Sequence, residues 1–387
     1  MNNKRSVKVL INALSARRGG GQTYLVNLLD NIDAVENIDV ILLLSDDFVT
    51  TQNQRILKII APKATSNPII RAVWEFLNIP LLINKYNVDV LYCPGGLVNV
   101  LFTNKCYIVT MFQNMIPFMP AIRCQYSYGW QRIRNWILEH LLLFSMSRSD
   151  IVIFISEYAK SVIRKRLHNQ INKAIVIPHG INDTFRHIYN SKPHRPDWLF
   201  NSDYLLYVSI FEPYKNHLEV VRGFYKLKTL RSTTEKLLLV GKNDLPAGFK
   251  VKEEIARLGL QDDVIMVGNI AYSELPALYY NAKINIFAST CENCPNIMLE
   301  ALGSGRPLLV SNVPPMTEFG DSAVAYFDPT SPDDIASQLL AIIDSPQQLC
   351  SLGNKAFKQS EMFDIRSAAT LTWRAIQQLV INDKNIL

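Results

Sequence analysis

No Asp-x-Asp pair occurs anywhere in the 387 residues, so there is no compact aspartate clamp for a divalent metal. The six histidines are scattered without metal-ligand spacing and read as structural or exposed residues. Six cysteines supply one close pair, Cys291 and Cys294, which makes neither a disulfide framework nor a zinc site and points to a reducing compartment. Long apolar runs are missing too: the most apolar helix-like segment, Trp136–Met146, is too short to span a bilayer and carries Glu139 and His140. At the amino terminus basic residues precede an apolar run, but Lys8 interrupts it and no small-residue cleavage site follows. Val7–Leu14 therefore reads as a first strand, not a signal peptide. A dinucleotide fingerprint is incomplete as well, because Gly19 and Gly21 are followed by Tyr24 where the third glycine belongs.

What is present is enough apolar residue, 48% of the chain, to bury two cores. Short strand-like runs alternate with helical ones throughout, the pattern of an α/β protein with parallel sheets. The first half holds Val7–Leu14, Val40–Leu44, Val88–Cys93, Tyr107–Phe112, Ile151–Ser156 and Ala174–Pro178. After a polar stretch with two prolines the array restarts with Tyr204–Ser209, Lys236–Gly241, Val264–Asn269, Ile284–Ser289 and Pro307–Asn312. Two doubly wound, Rossmann-like domains facing across a cleft are expected, with ligands at the carboxyl ends of the strands. The net charge of +6 is concentrated: between Ala121 and Lys173 nine basic residues face three acids.

The segment Ser289–Pro307, STCENCPNIMLEALGSGRP, puts two carboxylates at such a strand end. Pro295 suits the first helical turn and Gly305 the helix stop. Glu300 then lies roughly 7–8 Å along the axis, so that Glu292 and Glu300 can line one crevice beside the amides of Asn296 and Ile297. Carboxylates accept from sugar hydroxyls and helix amino-terminal amides hold phosphate, which suits a polyhydroxylated anion. A plainer reading has Glu292 capping the helix and Glu300 solvated. Gly19, Gly20 and Gly21 open a loop after the first strand through which backbone amides can approach a phosphate; the alternatives are a plain turn or, with Asp46, a dinucleotide site. Lys215 and Asn216 stand just before a helix, where an ammonium and helix amides can converge on a diphosphate. Lys215 as a plain surface lysine is the competing reading.

Glu292, seven residues, Glu300, Gly305 and Pro307, continued by Leu308–Leu339, resemble the E-x7-E region of the retaining, nucleotide-sugar-dependent glycosyltransferases of GT-B fold, family 4 or group 1. The starting segment INALSARRGGGQTYLVNLL and the Pro-Tyr-Lys-Asn segment at 213–216 are similar to the same family, and the resemblance covers nearly the whole chain, weakest over Thr50–Asn87. The resemblance implies an acceptor-side domain at 1–185, a linker at 186–203, a nucleotide-sugar-binding domain at 204–364 and a helix at 365–387 crossing back to the first domain. It implies a hexosyl transfer, with retention and without metal or other cofactor, from a nucleoside-diphosphate sugar to a glycan or polyprenyl-linked acceptor in cell-surface polysaccharide (O-antigen or capsule) synthesis. Glu292 would hold donor-sugar hydroxyls, Glu300 the ribose and Lys215 the leaving diphosphate, helped by Lys242 or Arg306. Gly20, Gly21, Asn216, Gly241, Lys242, Asn269, Pro295, Asn296 and Ile297 complete the expected substrate contacts.

Several positions depart from the family pattern, among them Tyr214 where a second basic residue is frequent. Gln113 and Asn114 stand where relatives often have His-Asp, so neutral amides replace an imidazole, and Ser209 stands where many have arginine. A noncatalytic nucleotide-sugar- or lipid-binding partner subunit is the second reading; an NAD-dependent oxidoreductase and a retaining hydrolase with carboxylates about 5–5.5 Å apart are further ones. Tyr126–Ser147 reads as a helix with Tyr128, Trp130, Trp136 and Phe144 beside Arg123, Arg132 and Arg134. That composition suits peripheral contact with an anionic membrane, placing the protein in the cytoplasm at the inner face of the cell membrane. Core packing of the aromatics is an equal reading, and a nucleic-acid surface is disfavoured.

Overall fold

The structure is a computed structural model describing residues 5–16, 20–62, 67–100, 106–125, 129–191, 193–199 and 201–384. Gly19, Tyr126 and Tyr128, which bear on the expectations above, lie outside the described residues. In chain order the first half runs β1 (Val7–Asn12), α1 (Gly20–Asp30), β2 (Ile38–Leu44), β3 (Ile56–Ile60), α2 (Pro68–Tyr86), β4 (Val90–Cys93) and β5 (Tyr107–Phe112). It continues with α3 (Pro120–Gln125), α4 (Trp130–Ser147), β6 (Ile151–Phe154), α5 (Glu157–Arg166), β7 (Ala174–Val176) and α6 (Asp183–Ser191). The second half runs β8 (Tyr204–Val208), α7 (His217–Leu230), β9 (Lys236–Val240), α8 (Pro246–Arg257), β10 (Val264–Gly268), α9 (Leu275–Asn281), β11 (Ile284–Phe287) and α10 (Asn296–Gly303). It closes with β12 (Leu308–Ser311), α11 (Met316–Gly320), β13 (Ala325–Phe327), α12 (Pro332–Ile343), α13 (Pro346–Ser360) and α14 (Ile365–Lys384).

The chain divides into two compact units, residues 1–118, 128–180 and 365–387, and residues 119–127 and 181–364. The first unit is built on a sheet ordered β3-β2-β1-β4-β5-β6-β7, the second on β10-β9-β8-β11-β12-β13, with parallel pairing throughout. Each order reverses once, between β1 and β4 and between β8 and β11. At such a switch the connections leave on opposite faces and a crevice opens at the carboxyl ends. The central strands are buried along their length, as in a parallel sheet covered on both faces by helices.

All eleven strands expected from sequence are present. The two not anticipated, β3 and β13, are edge strands or close to the edge, where half-exposed side chains dilute the apolar signal. Helix starts follow side-chain chemistry: Asn67, Ser331 and Ser345 each accept from an amide of the first turn and each precedes a proline. In the first unit α14 docks on α1, and the buried Trp373 indole donates to the Leu28 carbonyl at 2.9 Å.

Three expected boundaries differ. The stretch expected as a linker from 186 begins inside α6, a helix anchored in the second unit by the buried Phe185, which meets Tyr272 and Tyr279 edge-on. Arg186 ties it further to Asp183 and Asp364. A short amphipathic segment anchored by Phe185 and Tyr189 can be helical although most of its residues are polar. Residues 119–127 group with the second unit, not the first. Pro295 caps α10 from outside, and Gly305, at φ +66°, ends it in the left-handed region that a Cβ disfavours.

Candidate active site

At the switch point of the second unit, the loops following β8 and β11 carry Lys215 and Glu292. A short 3-10 turn, Pro213–Lys215, ends at Asn216, whose φ of +53° turns the chain into α7. That turn delivers the Lys215 ammonium to the Glu292 carboxylate, forming an ion pair in which the lysine side chain is 6% and the glutamate 16% exposed. The ammonium also lies over the Tyr214 and Phe287 rings, at 5.3 and 5.6 Å. The two loops are stitched together: Asn216 Nδ2 donates to the Ala288 carbonyl at 2.6 Å, Thr290 donates through backbone and hydroxyl to Tyr214, and the Tyr207 hydroxyl donates to the Lys215 carbonyl. A cation held this way has little freedom to lose when it meets an anion.

Beneath the lysine, His217 is stacked between Phe211 and Tyr207, with centroids 4.0 and 4.6 Å away. Burial, reinforced by the Lys215 charge, pushes its pKa down to about 3, so the imidazole is neutral at any physiological pH. Cys291, beside Glu292, is driven the other way by burial, to about 12, and is no thiolate nucleophile. Glu300, the fifth residue of α10, accepts a hydrogen bond from the Tyr272 hydroxyl at 2.8 Å. Burial raises its pKa to about 7, against the lowering pull of the Tyr272 hydrogen bond.

The structure redistributes several expected contacts. The Asn296 amide donates to the Cys294 carbonyl at 3.0 Å, so it is not unpaired; the first in-helix bond goes from Leu299 to Pro295, leaving Ile297 and Met298 as the amides at the helix mouth. The Asn216 amide is spent on loop carbonyls. Gly241 gives its N–H to Gly268, and at φ +141° a Cβ there would meet the Ser209 carbonyl oxygen at 2.1 Å; its role is close approach of two loops. Lys242 is half-exposed 3.7 Å from Asp244, and Asn269 is exposed after β10. Arg306 stacks on Tyr280 and donates to its carbonyl. It precedes β12, whereas Lys215 follows β8, so in a parallel sheet the two lie at opposite ends and Arg306 is no diphosphate ligand.

The first unit carries a pocket of about 380 Å³ at its own switch point. Gly21, Gln113 and Asn114 line it with Asn12, Arg71, Glu75, Asn99 and Arg134. A Cβ on Gly21 would touch nothing nearer than Ala16 at 3.8 Å, so packing within the chain does not demand glycine there, and Gly20 begins α1. Gln113 Nε2 is 3.3 Å from the Met111 sulfur, and the exposed Asn114 accepts from the Ile116 amide in a local turn. Glu75 is 3% exposed, accepts from Asn99, lies 3.7 Å from Arg71, and has its pKa raised by burial. Sequence reasoning missed Glu75, Tyr272 and His217. The signal for Glu75 was a lone carboxylate in the apolar run Ala72–Leu77; for Tyr272, an aromatic just past the strand-like run Val264–Asn269, at the sheet edge where ligands were expected.

Among the described residues no cluster of three His, Cys, Asp or Glu is placed to hold a metal, no helix is long and apolar enough to cross a membrane, and all six cysteines are thiols. Residues 18–185 match the model described as Glycosyltransferase Family 4, and residues 191–359 the model described as Glycosyl transferases group 1. The chain is 25% identical over 267 residues to the O-antigen chain mannosyltransferase RfbU of Salmonella typhimurium, covering 66% of this chain and 70% of that protein. It spans only 57% and 46% of two further curated relatives. Among solved structures, sucrose-phosphate synthase from Thermosynechococcus elongatus superposes with a TM-score of 0.74 at 16% identity, covering 98% of this chain and 100% of that one. Anabaena Alr3699/HepE in complex with UDP-glucose does so at 0.69 and 16%, covering 97% and 99%.

Proposed function

The chain belongs to the group 1 glycosyltransferases of GT-B fold, and from that premise we propose that it moves a hexose from a nucleoside-diphosphate sugar to a glycan or lipid-linked acceptor in polysaccharide synthesis, with retention and without a metal. The observation that carries this is the buried Lys215–Glu292 pair at the second unit's switch point, with Glu300 further along the helix that follows. The name of the Salmonella relative makes mannose the first donor sugar to test.

In this reading the ammonium of Lys215 turns from Glu292 to the donor's diphosphate, and Glu292 accepts from hydroxyls of the donor sugar. Breaking the anomeric C–O bond leaves negative charge on the β-phosphate oxygen, which a preorganised, desolvated cation stabilises as it develops. The acceptor hydroxyl attacks the same face; its oxygen bonds to the anomeric carbon, and its proton passes to the departing phosphate oxygen. A leaving group that acts as the base needs no imidazole, and this chain has a neutral amide, Gln113, where relatives often carry one. Glu300 accepts from the ribose once Tyr272 yields its place.

The test is binding of UDP-, GDP- and dTDP-sugars to the wild type and to Glu292→Gln and Lys215→Ala, followed by NMR of the product. Selective binding weakened by both substitutions, turnover that survives EDTA and a product with the donor's anomeric configuration are expected. An inverted product refutes the mechanism. Tight binding without turnover toward any acceptor supports the noncatalytic reading, which the departures at Gln113 and Ser209 favour.

A further inference from the structure

Two neighbouring helices of the first unit leave apolar stripes uncovered. On α2, Ile69, Val73, Phe76, Leu77 and Leu81 recur at helical spacing, and each is between 44% and 73% exposed. On α4 the stripe is Trp130, Ile133, Ile137, Leu141 and Phe144, between 39% and 69% exposed. Scattered exposed apolar residues are ordinary, but two facing stripes are not. Between them runs a groove of about 580 Å³, walled by Val73, Phe76 and Leu77 on one side and Leu141 and Phe144 on the other. That volume is in the range of small-ligand sites.

The groove is continuous with the polar pocket at the switch point of the same unit. Asn99 lines both. Helix α2 gives Val73, Phe76 and Leu77 to the groove and Arg71 and Glu75 to the pocket, while α4 gives Leu141 and Phe144 to the groove and Arg134 to the pocket. From Phe144 to Arg134 is ten residues, about 15 Å along the helix axis. Arg134 is exposed and has no ion-pair partner among the described residues. The excess of nine basic over three acidic residues, equal to the chain's net charge, falls in the segment that includes α4.

An occupant must therefore be apolar over roughly 15 Å, anionic next, and polar at its far end. We propose that the groove between α2 and α4 seats the hydrocarbon chain of a lipid-linked acceptor, whose phosphate meets Arg134 and Arg71 and whose sugar enters the pocket beside Glu75, Asn12 and Gln113. This rests on the glycosyltransferase reading, which supplies the sugar on the far end. A flat membrane surface would use the stripes without needing the groove, and a second copy of the chain would not account for the adjoining arginines. Glu75 serves the sugar end: held by Asn99 and Arg71, its carboxylate can accept from a hydroxyl without moving.

Calorimetric titration of the full chain with farnesyl diphosphate and with inorganic pyrophosphate tests the seat. Farnesyl diphosphate should bind at least tenfold more tightly, the double variant Leu77→Ser, Phe144→Ser should lose that advantage while binding pyrophosphate unchanged, and Arg134→Gln should weaken both ligands. These apolar side chains are about half-exposed, so their loss spares the core, which circular dichroism checks. Equal binding of the two ligands, or a groove variant with undiminished preference, overturns the proposal. So does a dimer in light scattering that the double variant dissolves, or binding to anionic phosphatidylglycerol vesicles by a protein that ignores farnesyl diphosphate. Nucleotide-sugar binding measured on the same samples separates the two levels: its loss with prenyl preference intact defeats the glycosyltransferase reading and leaves the lipid seat standing.

Discussion

Replacing Glu300 by glutamine should stabilise the second unit at neutral and alkaline pH. Burial holds the carboxyl at about 7 in the folded chain, against an ordinary value of 4.5. The unfolded chain therefore ionises first, and between pH 4.5 and 7 the folded state binds the extra proton, so stability falls as pH rises through that window. With about 1.4 kcal/mol per unit, the ionised form costs the fold about 3 kcal/mol above pH 7, and less, about 2 kcal/mol, where solvent reaches the carboxylate. Glutamine keeps the oxygen that accepts from Tyr272 and drops the charge. Amide exchange across α10 and β12 should then show Glu300→Gln indistinguishable from wild type at pH 4 and more protected by about 2–3 kcal/mol at pH 8. Nucleotide affinity should move oppositely in the wild type, strengthening from pH 6 to 8 as the carboxylate forms, and should be weak and flat in the variant. A Glu300 carboxyl resonance titrating near 4.5, or equal protection of the two proteins at pH 8, would refute the reasoning.

Lys215→Ala should lower kcat by about 100- to 1000-fold, and Lys215→Arg should not restore it, because the planar guanidinium does not fit a pocket built around a point charge between Tyr214 and Phe287. Steady-state kinetics with the identified donor decides it, and an active Arg variant would count against the geometry. Gly241→Ala forces a Cβ to 2.1 Å from the Ser209 carbonyl oxygen at φ +141° and should destabilise the second unit by about 2–4 kcal/mol, seen as a lower thermal midpoint. Trp373→Ala removes a fully buried side chain and its bond to Leu28; a loss of about 3–5 kcal/mol is expected in denaturant unfolding followed at the first unit's remaining tryptophans.

The alternation of buried-strand runs with helical segments, and its restart at Tyr204, was enough to derive two doubly wound sheets and eleven of their strands. It was enough because a parallel strand covered on both faces must be apolar along its length, and that is a local property of the chain. Lys215 and Glu292 were legible because each stands in a strand-to-helix loop that the local pattern locates, and because the segments around them resemble the group 1 glycosyltransferases; spacing alone left a surface lysine and a helix cap open. That Lys215 pairs with Glu292 across 77 residues, that Arg306 falls at the far end of the sheet, and that Glu300 meets Tyr272 were decided by tertiary structure alone, since each depends on which loops the sheet order brings together. The same holds for Glu75 and the groove beside it. Residues on α2 and α4 became two walls of one channel only when both helices packed on the same sheet, and no spacing within either segment records that the other is its neighbour.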